Sequence, residues 1–187
     1  MTRLAFMAVA ALAGLSALLA AAPAHPAMTV FADNAQDCYR DAKYGDFHGL
    51  GVEDCDAALF GMSTSNRDYA GTLVNRGVVY LWHGRYARAE EDFDAAIAVR
   101  PDIGEAYVNR GAAKIALRRY ADGIADIDHG LPLGSEEPEK AWYNRGLAHE
   151  GLDDETAAYH DYQKAAALKP DWAAPKVELT RFTVHSR

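Results

Sequence analysis

The chain has 187 residues, half of them apolar, with 27 acidic against 19 basic side chains and a net charge of −8. So acidic a balance argues against nucleic acid and anionic membrane surfaces as partners, because both demand clustered Lys and Arg. Two cysteines and seven scattered histidines, with no pair at ligand spacing, give no metal site and no reason to expect a cofactor.

In chain order, the first segment carries Arg3 and then an uncharged apolar run from Leu4 to Ala22, followed by Pro23 and Ala24. A short basic start, an apolar stretch and small residues at Ala22 and Ala24 describe a secretory signal peptide over 1–24, cleaved to leave His25 first. The competing reading is an uncleaved anchor, since about 19 apolar residues approach the roughly 20 needed to span a bilayer. Cleavage removes only Arg3 among charged residues, so the remaining chain carries −9. No second run of that length follows, so no membrane insertion is expected after cleavage, and a periplasmic or secreted location is.

Residues 25–69 hold both cysteines, Cys38 and Cys55. Export exposes them to an oxidising compartment, where a disulfide is expected; closing a loop of this length contributes roughly 3 kcal/mol on the chain-entropy model. Free buried thiols are the alternative. The stretch from Glu53 to Leu59 mirrors Glu91 to Ile97 almost residue for residue, which marks this region as a divergent copy of a unit that recurs further along the chain. Its first helix is expected near 35–44, with the turn around Gly45 to Gly51.

From residue 70 onward the chain repeats itself. Asn-Arg-Gly starts at Asn75, Asn109 and Asn144, intervals of 34 and 35 residues. Leu73, Tyr107 and Trp142 precede each Asn by two, and Tyr86, Tyr120 and Glu155 lie nine residues past each Gly. A second amphipathic stretch follows, with Ala89, Phe93 and Ala96 in the first copy and Ala158, Tyr162 and Ala165 in the third. Pro101 and Pro170 close those copies. Large residues alternating with Gly or Ala at helical spacing are what two closely packed antiparallel helices need.

On these residues the chain resembles the tetratricopeptide repeat, a 34-residue helix-turn-helix unit that stacks into a solenoid. The resemblance covers about 70–172 and implies an all-α, right-handed superhelix: repeats over 70–103, 104–138 and 139–172, between the divergent N-terminal cap and a C-terminal capping helix over 173–187. That last helix is expected to start at Pro175, run to about Val184 and cover the third unit with Val177, Leu179 and Phe182. The second copy departs from the pattern through Gly123, Gly130 and Pro132, so a shortened second helix and a looser joint are expected there.

The resemblance also implies a function. Its first helices line a concave groove, so Asn75, Asn109 and Asn144 would form a ladder whose carboxamides hold the backbone of an extended peptide; bonding to water or a neighbouring helix is the other option. Val74, Val78, Leu81, Trp82, Val108, Ile115, Tyr143 and Leu147 would add an apolar floor, unless caps bury it, which for Trp82 is an equal expectation. Arg76, Arg110 and Arg145 recur in phase with Asp92, Asp126 and Asp161, the pattern of structural ion pairs. A clamp for a partner's C-terminal carboxylate needs several groove cations, and only Lys140 is placed for it, opposed by Glu105 and Glu150. No Gly-x-Ser-x-Gly or phosphate loop is present. The expectation is a non-enzymatic adaptor for a protein or peptide partner, with an assembly role through the convex face or an end as the alternative.

Overall fold

A computed structural model describes residues 33–45, 51–61 and 65–182. The signal peptide read over 1–24, the start of the cap, and part of the turn expected between Gly45 and Gly51 lie outside these described residues. Among them are nine helices and no strand: α1 Asp33–Tyr44, α2 Val52–Gly61, α3 Asn66–Trp82, α4 Tyr86–Val99, α5 Gly104–Ala116, α6 Tyr120–Leu133, α7 Pro138–Gly151, α8 Glu155–Leu168 and α9 Ala173–Leu179. Each helix packs mainly on its sequence neighbours, the quasi-linear arrangement of a solenoid. None of them is long and apolar enough to cross a membrane.

The period of the sequence becomes a period of turns. Gly84, Arg118 and Asp153, spaced as the tripeptides are, each take a left-handed conformation with φ of 68°, 61° and 59°. In each turn the next amide reaches back to the helix: Arg85 N–H to Tyr80 O at 2.8 Å, Arg119 N–H to Lys114 O at 2.9 Å and Asp154 N–H to His149 O at 2.9 Å. This closes the otherwise unpaired carbonyls of α3, α5 and α7 and reverses the chain in three residues. The starts are fixed more variously. Ser65 accepts from Asp68 N–H before α3, Asp154 accepts from Ala157 N–H before α8, and Pro138 occupies the first turn of α7.

Within each unit a glycine of the first helix receives the large side chain of the second. A Cβ built on Gly77 would lie 2.6 Å from the Phe93 ring, on Gly146 2.7 Å from the Tyr162 ring, and on Gly111 2.8 Å from Ile127. The middle unit goes further, because the Gly111 Cβ position is also 2.8 Å from the Gly123 carbonyl and that of Gly130 is 2.7 Å from the Gly104 carbonyl. Backbone rests on backbone there. The glycines do not loosen this unit: with the smaller Ile127 as plug, they let α5 and α6 close up and fill the space. Pro132 does not shorten α6 either, which runs through it to Leu133 and matches α4 and α8 at 14 residues. It falls in the last turn, so the hydrogen bond its missing N–H forfeits and the crowding of its ring on the carbonyl four residues back are confined to the helix end.

In the cap, Cys38 of α1 and Cys55 of α2 are joined by a disulfide with Cα atoms 4.7 Å apart. Cys55 stands where the other units place Phe93, Ile127 and Tyr162, so the bond replaces the aromatic or aliphatic plug. At the far end α9 stops at Leu179, short of the expected Val184. Trp172, Leu179 and Phe182 pack on the third unit's core of Tyr143, Ala158, Tyr162 and Ala165, whereas Val177, expected to join them, faces solvent at 60% exposure.

Candidate peptide-binding face

The three in-phase arginines do two jobs each. Arg76 donates through Nε and Nη2 to Asp92 of its own unit at 2.8 and 2.6 Å, and through Nη1 to Asp56 of the cap at 2.5 Å. Arg110 repeats this with Asp126 at 2.8 and 2.7 Å and with Asp94 of the preceding unit at 2.6 Å. Arg145 does so with Asp161 at 2.8 and 2.7 Å and with Asp128. The planar guanidinium matches a carboxylate bidentately and keeps one nitrogen for a second acid, a task a lysine cannot share. Sequence reasoning missed Asp56, Asp94 and Asp128, although they were visible two residues after Asp54, Asp92 and Asp126. In the last unit the corresponding residue is Gln163.

Two of these carboxylates respond to burial differently. Burial pushes Asp92 above its ordinary value, only partly offset by Arg76. Burial also pushes on Asp126, but Arg110 together with Lys114 outweighs it and holds the group below the ordinary range. The difference is a third donor: Lys114 Nζ lies 2.7 Å from Asp126, and the equivalent residue in the first unit is Tyr80. Stacking adds to the same edge, with Arg145 4.2 Å above the Trp142 ring and Arg110 5.4 Å from the Tyr107 ring.

The apolar floor expected of the groove is core instead. Val74, Val78, Val108, Ile115 and Tyr143 are buried among neighbouring helices, because successive first helices lie close enough to enclose one another's apolar faces. Trp82 is held by the cap: its Nε1–H donates to Ala42 O at 3.1 Å, and its ring lies 3.5 Å from the Cβ position of Gly45. Tyr143 is covered from the other end, donating to Glu178 at 3.2 Å and lying 4.9 Å from the Trp172 ring. Burial and then Glu178 push the Tyr143 hydroxyl well above its usual range, and burial and Glu150 do the same to Tyr162. Leu81 and Leu147 are half-buried.

The asparagines lie deeper than a surface ladder, at 2–3% exposure. Yet Asn75 Oδ1, Asn109 Nδ2 and Asn144 Oδ1 are buried without a hydrogen-bond partner. Helical geometry puts residues four before, three after and seven after each Asn on its own face. Along that strip Trp82, Glu105, Ala116, Lys140 and Leu147 are half-buried and Gly151 is exposed. The strip is short, mixed and close to neutral. Lys140 is not free for a carboxylate clamp, being paired with Glu137 at 2.6 Å, while Glu150 is taken by Tyr162 and Arg181. Among the described residues no group of three or more His, Cys, Asp or Glu side chains is placed to hold a metal ion.

Known proteins resemble this chain. The family model described as tetratricopeptide repeat matches residues 139–171. The Hsp70-Hsp90 organizing protein of Triticum aestivum is 37% identical over 87 residues, covering 46% of this chain and 15% of that protein. A DnaJ homolog subfamily C member 7 homolog of Schizosaccharomyces pombe is 30% identical over 111 residues, 57% of this chain and 23% of its own. The chain thus spans less than a quarter of the length of either relative. Among solved structures, the first TPR of Spaghetti (RPAP3) bound to the HSP90 peptide SRMEEVD aligns with a TM-score of 0.56 at 25% identity, over 60% of this chain and 88% of that one. The crystal structure of MamA, at 19% identity, shares the fold with a TM-score of 0.62 over 80% of this chain and 82% of its own.

Proposed function

We propose that this tetratricopeptide-repeat protein is a non-enzymatic adaptor that holds an extended segment of another protein along the inner strip of its first helices. The observation that carries the reading is the in-phase set of buried, unpartnered carboxamide atoms at Asn75, Asn109 and Asn144. A polar atom shut away from water without a partner costs about 1–3 kcal/mol, so a small parting of the strip that lets an extended peptide's alternating N–H and C=O groups reach the three sites returns that cost. Recurrence once per repeat sets a spacing that a backbone can follow independently of its side chains.

The chemistry of the strip narrows the partner. An acidic terminus such as SRMEEVD, bound by the Spaghetti domain, needs unpaired cations, whereas Lys140 and the three in-phase arginines already face carboxylates at 2.8 Å or less. An uncharged or mildly basic segment with small apolar side chains suits Trp82, Ala116 and Leu147 better. We extend the reading to an exported, periplasmic protein; the basic start, the apolar run from Leu4 to Ala22 and the small residues after it support this, and the Cys38–Cys55 disulfide suits an oxidising compartment.

The test is binding by fluorescence anisotropy to an array of extended peptides, uncharged, basic and acidic, with SRMEEVD among the last. Uncharged or basic peptides should bind, SRMEEVD should not, and changing Asn75, Asn109 and Asn144 together to Ala should weaken binding at least tenfold, about 1.4 kcal/mol, while helicity is retained. Undiminished binding by the triple variant sinks the ladder. The assembly reading draws on Phe60, 97% exposed in the cap, and Val177, exposed at the other end; self-association in sedimentation, abolished by Phe60→Ser, is the result it requires.

A further inference from the structure

We infer that α1 is a lid over the first repeat, held shut by the Cys38–Cys55 disulfide and released by its reduction. The inference rests on the adaptor reading for what the uncovered face is for, but its structural content is independent. Of α1's apolar residues only Ala35, Cys38 and Ala42 are fully buried, all small, while every second helix of the repeats seats Phe93, Ile127 or Tyr162. Hydrophobic attachment scales with buried area, so α1 holds to the solenoid by less than the second helices of the repeats do. It is also 12 residues long, a length at which an isolated helix is marginal in water. The covalent bond to α2 makes up the difference.

What α1 covers is the N-terminal end of the proposed peptide strip. Its backbone takes the Trp82 indole proton at Ala42 O, and Gly45 just past the helix rests on the indole ring. Val74, Val78 and Leu73 share one apolar cluster with Cys38 and Ala42. The second cap helix keeps its own tie to the first repeat through Asp56 and Arg76. Losing the disulfide therefore leaves α1 on the Ala42–Trp82 hydrogen bond and its small apolar contacts, and when it lifts, Trp82, half-buried on the strip while α1 is in place, is uncovered in full with its apolar neighbours. The chemistry is ordinary exchange: a dithiol supplies two electrons and two protons, the S–S bond breaks, Cys38 and Cys55 become thiols, and the dithiol closes to its own disulfide.

The experiment is hydrogen exchange on the full chain, oxidised against dithiothreitol-reduced, with the Cys38→Ala/Cys55→Ala double variant in parallel. The variant removes the bond without demanding reductant access and leaves small apolar side chains in the packing. Protection over 33–44 should fall about a hundredfold in both forms, the factor implied by losing a loop closure of this size, while α5 to α8 stay within twofold. Unchanged protection in the variant overturns the lid, because α1 then needs no bond. Loss of protection through the whole chain overturns it equally, since the cap is then part of one cooperative unit. No partner is present in this measurement, so it stands or falls apart from the peptide-binding result.

Discussion

Replacing Asp126 by Ala should injure the solenoid more than replacing Asp92 by Ala, although both acids face an arginine in the same bidentate way. Asp126 takes Arg110 at 2.8 and 2.7 Å and Lys114 at 2.7 Å; Asp92 takes Arg76 alone. Breaking a buried pair by removing one partner costs about 3–5 kcal/mol, because the other charge is left behind. Arg76 and Arg110 keep partial relief through Asp56 and Asp94, which lowers each cost to about 2–3 kcal/mol. Among the described residues Lys114, only 15% exposed, has no second acid paired with it, so Asp126→Ala should cost about 1–2 kcal/mol more than Asp92→Ala. Urea unfolding followed by circular dichroism measures both, fitted with a nearest-neighbour treatment because repeat arrays need not unfold in one step. Equal losses, or a larger loss at Asp92, would show that Lys114 contributes nothing and refute the reasoning.

Other outcomes follow from the same geometry. The two acids should differ in pH response. Asp126 is lowered in the fold, so its contribution is complete above the ordinary carboxylate value near 3.9 and is lost as pH falls through its lower folded value; Asp92 is raised, so its penalty is complete above that raised value and eases as pH falls through it. Acid titration of stability for Asp126→Asn and Asp92→Asn should shift in opposite directions relative to the parent. Gly77→Ala should destabilise by about 1–3 kcal/mol and be largely rescued by Phe93→Leu, because its obstacle is a ring; Gly111→Ala, whose obstacle includes a backbone carbonyl, should resist rescue by Ile127→Val. Thermal melts of the single and double variants decide this. Arg118→Gly should stabilise by about 0.5–1 kcal/mol by relieving a left-handed side-chain residue, readable as a raised melting temperature, and no gain would mean that the turn tolerates arginine without strain.

The periodic part of the architecture was legible because it is written in phase. The tripeptides announce the turns, and Gly77, Gly111 and Gly146 announce the close contacts opposite Phe93, Ile127 and Tyr162. Depth was not legible. Val74 and Val108 sit on the helix face where a groove was expected, but exposure depends on how tightly successive first helices approach, a quantity that no single helix encodes. Trp82 is settled by Ala42 and Gly45, some 40 residues earlier and in a divergent unit. Gly123, Gly130 and Pro132 misled in the other direction, since propensity treats them as weak points whereas the packing uses Gly123 and Gly130 to bring backbones together. Asp56, Asp94 and Asp128 were in view, and went unread because each arginine was assigned a single acid.

Gln163 marks where the run of in-phase acids that receive the next unit's arginine is broken. Each arginine bridge leans backward on an acid of the preceding unit, so Asp56, Asp94 and Asp128 act as sockets for the next unit to plug into, and at 163 that socket has lost its charge. A further copy appended after the third unit would arrive with an arginine and meet a neutral amide. Lengthening this protein by design therefore begins with Gln163→Asp, and transplanting a glutamine to position 94 or 128 is the corresponding way to loosen the joint beyond it.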